Sequence, residues 1–384
     1  MDTVIYAYPM VNVVSFTHIA RNHIRYLKRY IRITEVDVDS FDISHWSDKH
    51  KMFVHPICYP FMKTEGDSEL RATKFIDLAK KKRYTLVGFD VADSDLFSEF
   101  ACRLMSSYDL VVFPSTFARN VYIRSCEYYG ITPTNAIVLP HGISEEFSKP
   151  VSITDPYFRS LLDLKRNMGL TFVLFNLWHS AFRKGADLFV EAMRIVQAKY
   201  PNVVILLKTG DHEDIYTKKV KKLRHIHVKG MLPIDKYVQL FDVSDIVVLT
   251  SRGGGFEHNA LEAIARGKPT IVPNAGCFLD YAKYAITVSV TDKKPKIFKD
   301  NPIHIGKGWE IDTTELARTI IDVVEHYNEY RDRFIEYAKI VRNEYSWSNI
   351  IDYFAYVLSR YKIVNVKASK PKILYAYHSS ERHS

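Results

Sequence analysis

Two windows of this 384-residue chain hold side chains whose types and spacing could do chemistry. The first reads Ser251-Arg252-Gly253-Gly254-Gly255-Phe256-Glu257-His258-Asn259-Ala260-Leu261-Glu262. It follows an apolar strand-like run and leads into a helical pattern, so a glycine-rich turn opens a helix. Glycines let backbone N–H groups approach an oxyanion closely, and the unpaired amides and dipole of a helix start favour a phosphate there. Glu262 falls one helical turn past the glycines, where a carboxylate can accept the vicinal hydroxyls of a ribose. The second window, Asn176-Leu177-Trp178-His179-Ser180-Ala181-Phe182-Arg183-Lys184-Gly185-Ala186-Asp187, also links a strand to a helix. It puts Arg183 and Lys184 at the carboxyl end of a sheet, where open α/β sheets bind ligands. Two fixed cations beside such a turn suit a diphosphate leaving group, whose charge rises as it departs.

A third cluster, Gly88-Phe89-Asp90-Val91-Ala92-Asp93-Ser94-Asp95, follows another strand-like run. One of its aspartates, Asp90 first, could hold a sugar hydroxyl or an acceptor; a helix cap at Ser94 or Asp95 is the plainer alternative. The alternating carboxylates have the look of a metal loop, but the glycine and distant glutamate of a calcium loop are missing, so a metal-free site is expected.

Positioning these groups requires an α/β fold, because strand-like runs alternate with helical patterns along most of the chain. Strands are expected at 4–8, 34–38, 52–57, 85–89, 110–113 and 136–139, then at 172–176, 203–208, 226–229, 246–250, 270–273 and 286–290. Phe16, Ile19, Ala20, Ile24, Leu27 and Ile31 are spaced as one face of a helix. Prolines at 150 and 156 mark a linker between the two strand series. The expectation is two Rossmann-like lobes facing a central cleft, 1–150 and 151–345. A helix and tail follow over 346–384.

With the motifs in this order, the chain resembles glycosyltransferase family 4, retaining nucleotide-sugar-dependent enzymes of the GT-B fold. The matching pieces are Pro114-Ser115-Thr116-Phe117, Val138-Leu139-Pro140-His141-Gly142-Ile143, Arg183-Lys184-Gly185-Ala186-Asp187, and Gly255-Phe256 through Leu261-Glu262-Ala263-Ile264-Ala265-Arg266-Gly267-Lys268-Pro269. Asn274-Ala275-Gly276 follows, and Ser346-Trp347-Ser348 resembles the start of the family's closing helix, which the resemblance implies crosses back to the first lobe. The resemblance implies that Lys184 binds the donor diphosphate, that Glu262 binds the nucleotide ribose, and that Gly254, Gly255 and Phe256 offer amides to phosphate. It implies no required cofactor, a UDP- or GDP-linked sugar as donor, and a glycan, lipid-linked or protein-linked acceptor hydroxyl. The sequence departs from the family twice. The first of two glutamates separated by seven residues would fall on Gly254, leaving Glu257 as the nearest carboxylate. The phosphate arginine would fall on His179, leaving His179 and Arg183 both as candidates. A histidine that the family often carries near Asp90 is not found there, and His141 reads as a structural part of its turn. Replacing Lys184 or Glu262 by alanine is expected to cut activity strongly at little cost in stability.

Composition narrows the setting. The hydrophobic fraction of 47% and charged fraction of 25% are those of a packed globular protein. The excess of Lys and Arg (53) over Asp and Glu (44) leaves a charge of +9, spread over several clusters without a nucleic-acid motif, so nucleic acid is not an expected partner. One basic cluster lies on the polar side of the helix at 16–32, which leaves open a peripheral contact with an anionic membrane surface beside plain solvation. Cys58, Cys102, Cys126 and Cys277 lack metal or disulfide spacing. The N-terminus shows no leader and no apolar run reaches the roughly 18 residues of a spanning helix, pointing to the cytoplasm. Glutamine occurs only at Gln197 and Gln239, a bias compatible with a hot-adapted source. A non-catalytic sugar-nucleotide binder and an epimerase on the same fold are the alternative functions.

Overall fold

The computed structural model describes residues 2–11, 15–62, 68–178, 180–211, 213–366 and 368. Two compact units emerge. The first comprises the chain up to Gly142, Phe298–Gly306, and the described residues from Glu344 onward; the second comprises Ile143–Ile297 and Lys307–Asn343.

In the first unit the strands are β1 (Thr3–Tyr8), β2 (Arg32–Asp37), β3 (Lys51–Val54), β4 (Thr85–Phe89), β5 (Leu110–Phe113) and β6 (Ala136–Val138). All pairings are parallel, in the order β2-β1-β3-β4-β5-β6. The intervening helices are α1 (Ser15–Leu27), α2 (Tyr59–Met62), α3 (Ser68–Lys81), α4 (Glu99–Met105) and α5 (Thr116–Tyr128). Strands covered on both faces read as continuous apolar runs, as in the fully buried Leu-Val-Val-Phe of β5. The edge strand β2, Arg-Ile-Thr-Glu-Val-Asp, is instead only partly buried and carries charges that discourage further pairing.

The second unit starts with α6 (Pro156–Met168) and alternates β7 (Thr171–Leu177), α7 (Ala186–Lys199), β8 (Val203–Thr209), α8 (Ile215–Val220), β9 (His225–Lys229), α9 (Ile234–Val243), β10 (Ile246–Val248), α10 (His258–Ala265), β11 (Thr270–Pro273) and β12 (Ile286–Val288). Its sheet is again parallel, ordered β12-β11-β10-β7-β8-β9. The helical pattern after Asp312 divides into α11 (Thr313–Glu325) and α12 (Tyr327–Glu344) at His326, whose backbone leaves the helical region.

Residues 143–150 pack with the second unit rather than the first. The Phe147 ring lies 5.5 Å from Phe241, and the Phe147 and Lys149 carbonyls accept from the buried Arg266 guanidinium. Segment 298–306, which sequence order places in the second lobe, belongs to the first unit. Ile303 joins the first core, its carbonyl accepts from Ser98 N at 2.9 Å, and Gly306 N donates to Ser94 Oγ at 3.2 Å.

The last described helix, α13 (Trp347–Arg360), is capped by Ser346, which accepts from Asn349 N. Its Trp347 ring lies so close to Gly142 that a Cβ there would fall 2.4 Å from it, which explains the glycine of the Pro-His-Gly-Ile turn. Asp352 accepts from Arg29 at 2.7 Å, so α13 packs on α1. Lys28 is paired with Glu35 at 3.0 Å, so the basic face of α1 is partly used within the unit itself. No helix among the described residues is long and apolar enough to cross a membrane.

Candidate active site

The order of the second sheet reverses between β7 and β10, which makes a topological switch point outside their carboxyl ends. The β7–α7 loop carries Arg183 and Lys184, and the β10–α10 loop carries Gly253 to Glu257, so both windows meet at this crevice.

Backbone contacts lock the loops together. Gly185 has a φ of 67°, and a Cβ added there would lie 2.0 Å from Thr250 O, so only glycine fits. Thr250 Oγ1 donates to the carbonyls of Lys184 at 2.8 Å and Gly185 at 2.9 Å. Arg252 N donates to Arg183 O at 2.6 Å. The Arg252 side chain, 2% exposed, spans both oxygens of Asp187 at 2.7 and 2.8 Å, reaches Glu310 at 3.2 Å, and lies over the Phe182 ring. The sequence reading passed over Arg252. Its only sequence signal was its place beside the glycines of the loop after β10; its partners Asp187 and Glu310 lie far away in the chain.

Lys184 donates to both oxygens of Glu257, at 2.7 and 2.6 Å, and the Glu257 side chain is 5% exposed. Removing Lys184 would therefore leave a buried carboxylate without its counter-charge, so the expectation of little stability loss does not hold at this position. Arg183 is also buried and donates from Nη1 to Gly253 O at 3.1 Å. None of Gly253, Gly254 and Gly255 has a positive φ. At Gly254 the need for glycine is spatial: a Cβ would stand 2.8 Å from Glu257 Oε1 and 3.5 Å from Arg183 Nη1. The Phe256 ring packs edge-on to Tyr281, whose hydroxyl donates to Glu257 O.

Glu262 sits one turn into α10. Burial pushes its carboxyl up to about 8, and the Tyr237 hydroxyl lies 3.4 Å from Oε2. Tyr237, from α9, was another residue the sequence reading did not single out. Asn176, at the end of β7, has both amide atoms enclosed without a protein partner. His179 lies outside the described residues.

In the first unit Asp90 follows β4, but its carboxylate turns inward. It accepts from Cys58 N at 3.0 Å and Val91 N at 2.8 Å, and burial raises its pKa. The α4 cap is Ser98, accepting from Ala101 N, rather than Ser94 or Asp95. An imidazole does stand near this loop, supplied by the distant segment 298–306: His304 Nδ1 lies 3.4 Å from Asp93 N, between the Phe97 and Phe298 rings. No local motif could have announced it. Among the described residues no group of three His, Cys, Asp or Glu side chains could hold a metal ion.

These features agree with comparisons to known proteins. The family model of glycosyl transferases group 1 matches residues 172–300, the stretch that contains both loops. An uncharacterized protein of Sulfolobus islandicus rod-shaped virus 1 is 27% identical over 372 residues, covering 95% of this chain and 98% of that one. A putative glycosyltransferase of a Sulfolobus islandicus filamentous virus is 26% identical over 277 residues, 68% of this chain and 70% of that one. Among solved structures, Anabaena HepE in complex with UDP superposes with a TM-score of 0.65 at 15% identity, covering 94% of this chain and all of that one. Residues 172–300 thus match the glycosyl transferases group 1 model, and the chain is built on the GT-B fold.

Proposed function

We propose that this protein is a retaining glycosyltransferase that moves a sugar from a nucleoside-diphosphate sugar, UDP- or GDP-linked, to a hydroxyl of a glycan, lipid-linked or protein-linked acceptor. The observation that carries this reading is the convergence of Lys184, Arg183, the Gly254–Phe256 backbone and Glu262 on one switch point, with the two loops fixed by Arg252 and Thr250. The UDP held by the HepE structure supports the choice of ligand class.

In this mechanism Lys184 and Arg183, with the amides of Gly254, Gly255 and Phe256, stabilise charge as the bond from the sugar carbon to the diphosphate oxygen breaks. The acceptor oxygen forms its bond on the same face of the sugar, and its proton passes to the departing diphosphate. Glu262 holds the nucleotide ribose. Asp90, enclosed by the Cys58 and Val91 amides, acts by positioning the loop after β4, which carries Asp93 and Asp95 for contacts with sugar or acceptor. The family 4 pattern, a cytoplasmic location and a contact of α1 with a membrane surface belong to the same reading.

A thermal-shift panel of UDP, GDP, ADP and their sugar conjugates tests it. One nucleoside diphosphate and its conjugate should raise Tm in a concentration-dependent way. A flat response across the panel would refute it. Turnover that survives EDTA is expected, since cations of the chain face the diphosphate; complete, metal-reversible loss would overturn that part.

A further inference from the structure

The placement of Glu257 has a consequence for how a donor enters. Its carboxylate occupies the space that a side chain at residue 254 would fill, because Oε1 stands 2.8 Å from the Cβ position of Gly254. Its two oxygens are held by Lys184 alone among the described side chains. The amine offered to a diphosphate is thus already taken by an internal anion.

From this geometry we infer that Glu257 is a latch on Lys184 which the donor exchanges: the diphosphate takes the lysine, and the displaced carboxylate accepts hydroxyl hydrogen bonds from the donor sugar. The inference rests on the reading of the site as a nucleoside-diphosphate-sugar site. A diphosphate brings more negative charge than one carboxylate, so it wins the lysine, and two anions crowding one amine repel each other. Glu257 is 4% exposed, so once released it cannot simply turn to water, and an enclosed carboxylate without donors is costly. The ribose hydroxyls of a bare nucleoside diphosphate are engaged by Glu262, leaving none at the diphosphate end for Glu257, whereas a sugar conjugate carries several further hydroxyls there. Glu257 therefore penalises the bare nucleotide, the form in which the product leaves, and favours the loaded donor. It acts as a specificity-determining residue.

Isothermal titration with UDP and UDP-glucose, or with the GDP or ADP pair if the wild type prefers those, tests the exchange in three proteins. The wild type should bind the conjugate at least about tenfold more tightly than the bare nucleotide, the scale of a hydrogen bond to a charged group. Glu257→Gln keeps the shape but drops the charge; it should bind the bare nucleotide about tenfold more tightly than the wild type does and lose most of the discrimination. The double variant Gly254→Glu/Glu257→Gly returns a carboxylate to the same space from the other end of the turn. Residue 254 has no positive φ, and with the Glu257 side chain gone the nearest neighbour given for its Cβ is Arg183 Nη1 at an ordinary 3.5 Å, so discrimination should return. Equal discrimination in the wild type and Glu257→Gln, or unchanged affinity for the bare nucleotide, would overturn the latch while leaving the site's assignment intact. A wild type that binds none of the nucleotides would remove the assignment and the latch with it.

Discussion

Replacing Lys184 by methionine should cost stability as well as activity. The substitution keeps the aliphatic stem but removes the ammonium, leaving Glu257 as an enclosed carboxylate. Breaking a buried ion pair by deleting one partner typically costs about 3–5 kcal/mol. The Lys184 side chain is 17% exposed, so water reaches part of the vacated space and the lower end, about 3 kcal/mol, applies. For a cooperative unit in the range of 150–250 residues, about 2–4 °C of Tm is lost per kcal/mol, giving a drop of roughly 6–12 °C in scanning calorimetry at neutral pH. The decisive partner is the double variant Lys184→Met/Glu257→Gln. A neutral pair of similar volume removes the stranded charge, and replacing a buried ion pair outright is often neutral or stabilising. The double variant should recover most of the lost Tm while remaining inactive. If Lys184→Met unfolds within about 2 °C of the wild type, or if the double variant is no more stable than the single one, Glu257 is not dependent on Lys184 and the electrostatic account of the site fails.

Three further outcomes follow from the same structure. Glu262, held at about 8 in the fold against 4.5 as its ordinary value, keeps its proton in the folded state while the unfolded chain loses it, so its contribution to stability declines as pH rises from about 4.5 to 8. Glu262→Gln should therefore stabilise the protein by about 4 kcal/mol at pH 8 and by almost nothing at pH 4. Urea midpoints at the two pH values check this, and a Gln variant less stable at pH 8 would contradict it. His23, buried beside Tyr6 and Trp347, is pushed down to about 3 by burial, so the unfolded chain takes up a proton below about 6.5 while the fold refuses it. Stability should fall by about 2 kcal/mol per such histidine between pH 7 and pH 5, and His23→Phe should lessen that fall in urea titrations. Gly185→Ala should cost about 3 kcal/mol through its positive φ and the approach to Thr250 O, together with loss of nucleotide binding. Normal melting and binding would show that the two loops tolerate separation.

Much of this molecule is legible in its residues taken in order. The twelve described strands fall close to where strand-like runs between helical patterns place them: the inner strands of a parallel sheet, covered on both faces, read as continuous apolar stretches, and the edge strands β2 and β9 as mixed runs with apolar residues alternating. The glycine-rich turn and the Arg183-Lys184 pair were equally visible, since a strand-to-helix loop positions them by local geometry alone. The partners of those groups were not. Whether Lys184 faces solvent or Glu257, why residue 254 must be glycine, and that Arg252 ties Asp187 to Glu310 depend on which loops the β7/β10 reversal brings side by side. The same holds for His304, carried to the β4 loop by a segment from the far half of the sequence, and for the raised pKa of Glu262. Periodicity and local spacing report contacts a few residues apart. Burial, desolvation and ion pairing arise between segments remote in sequence, so only the tertiary structure decides them.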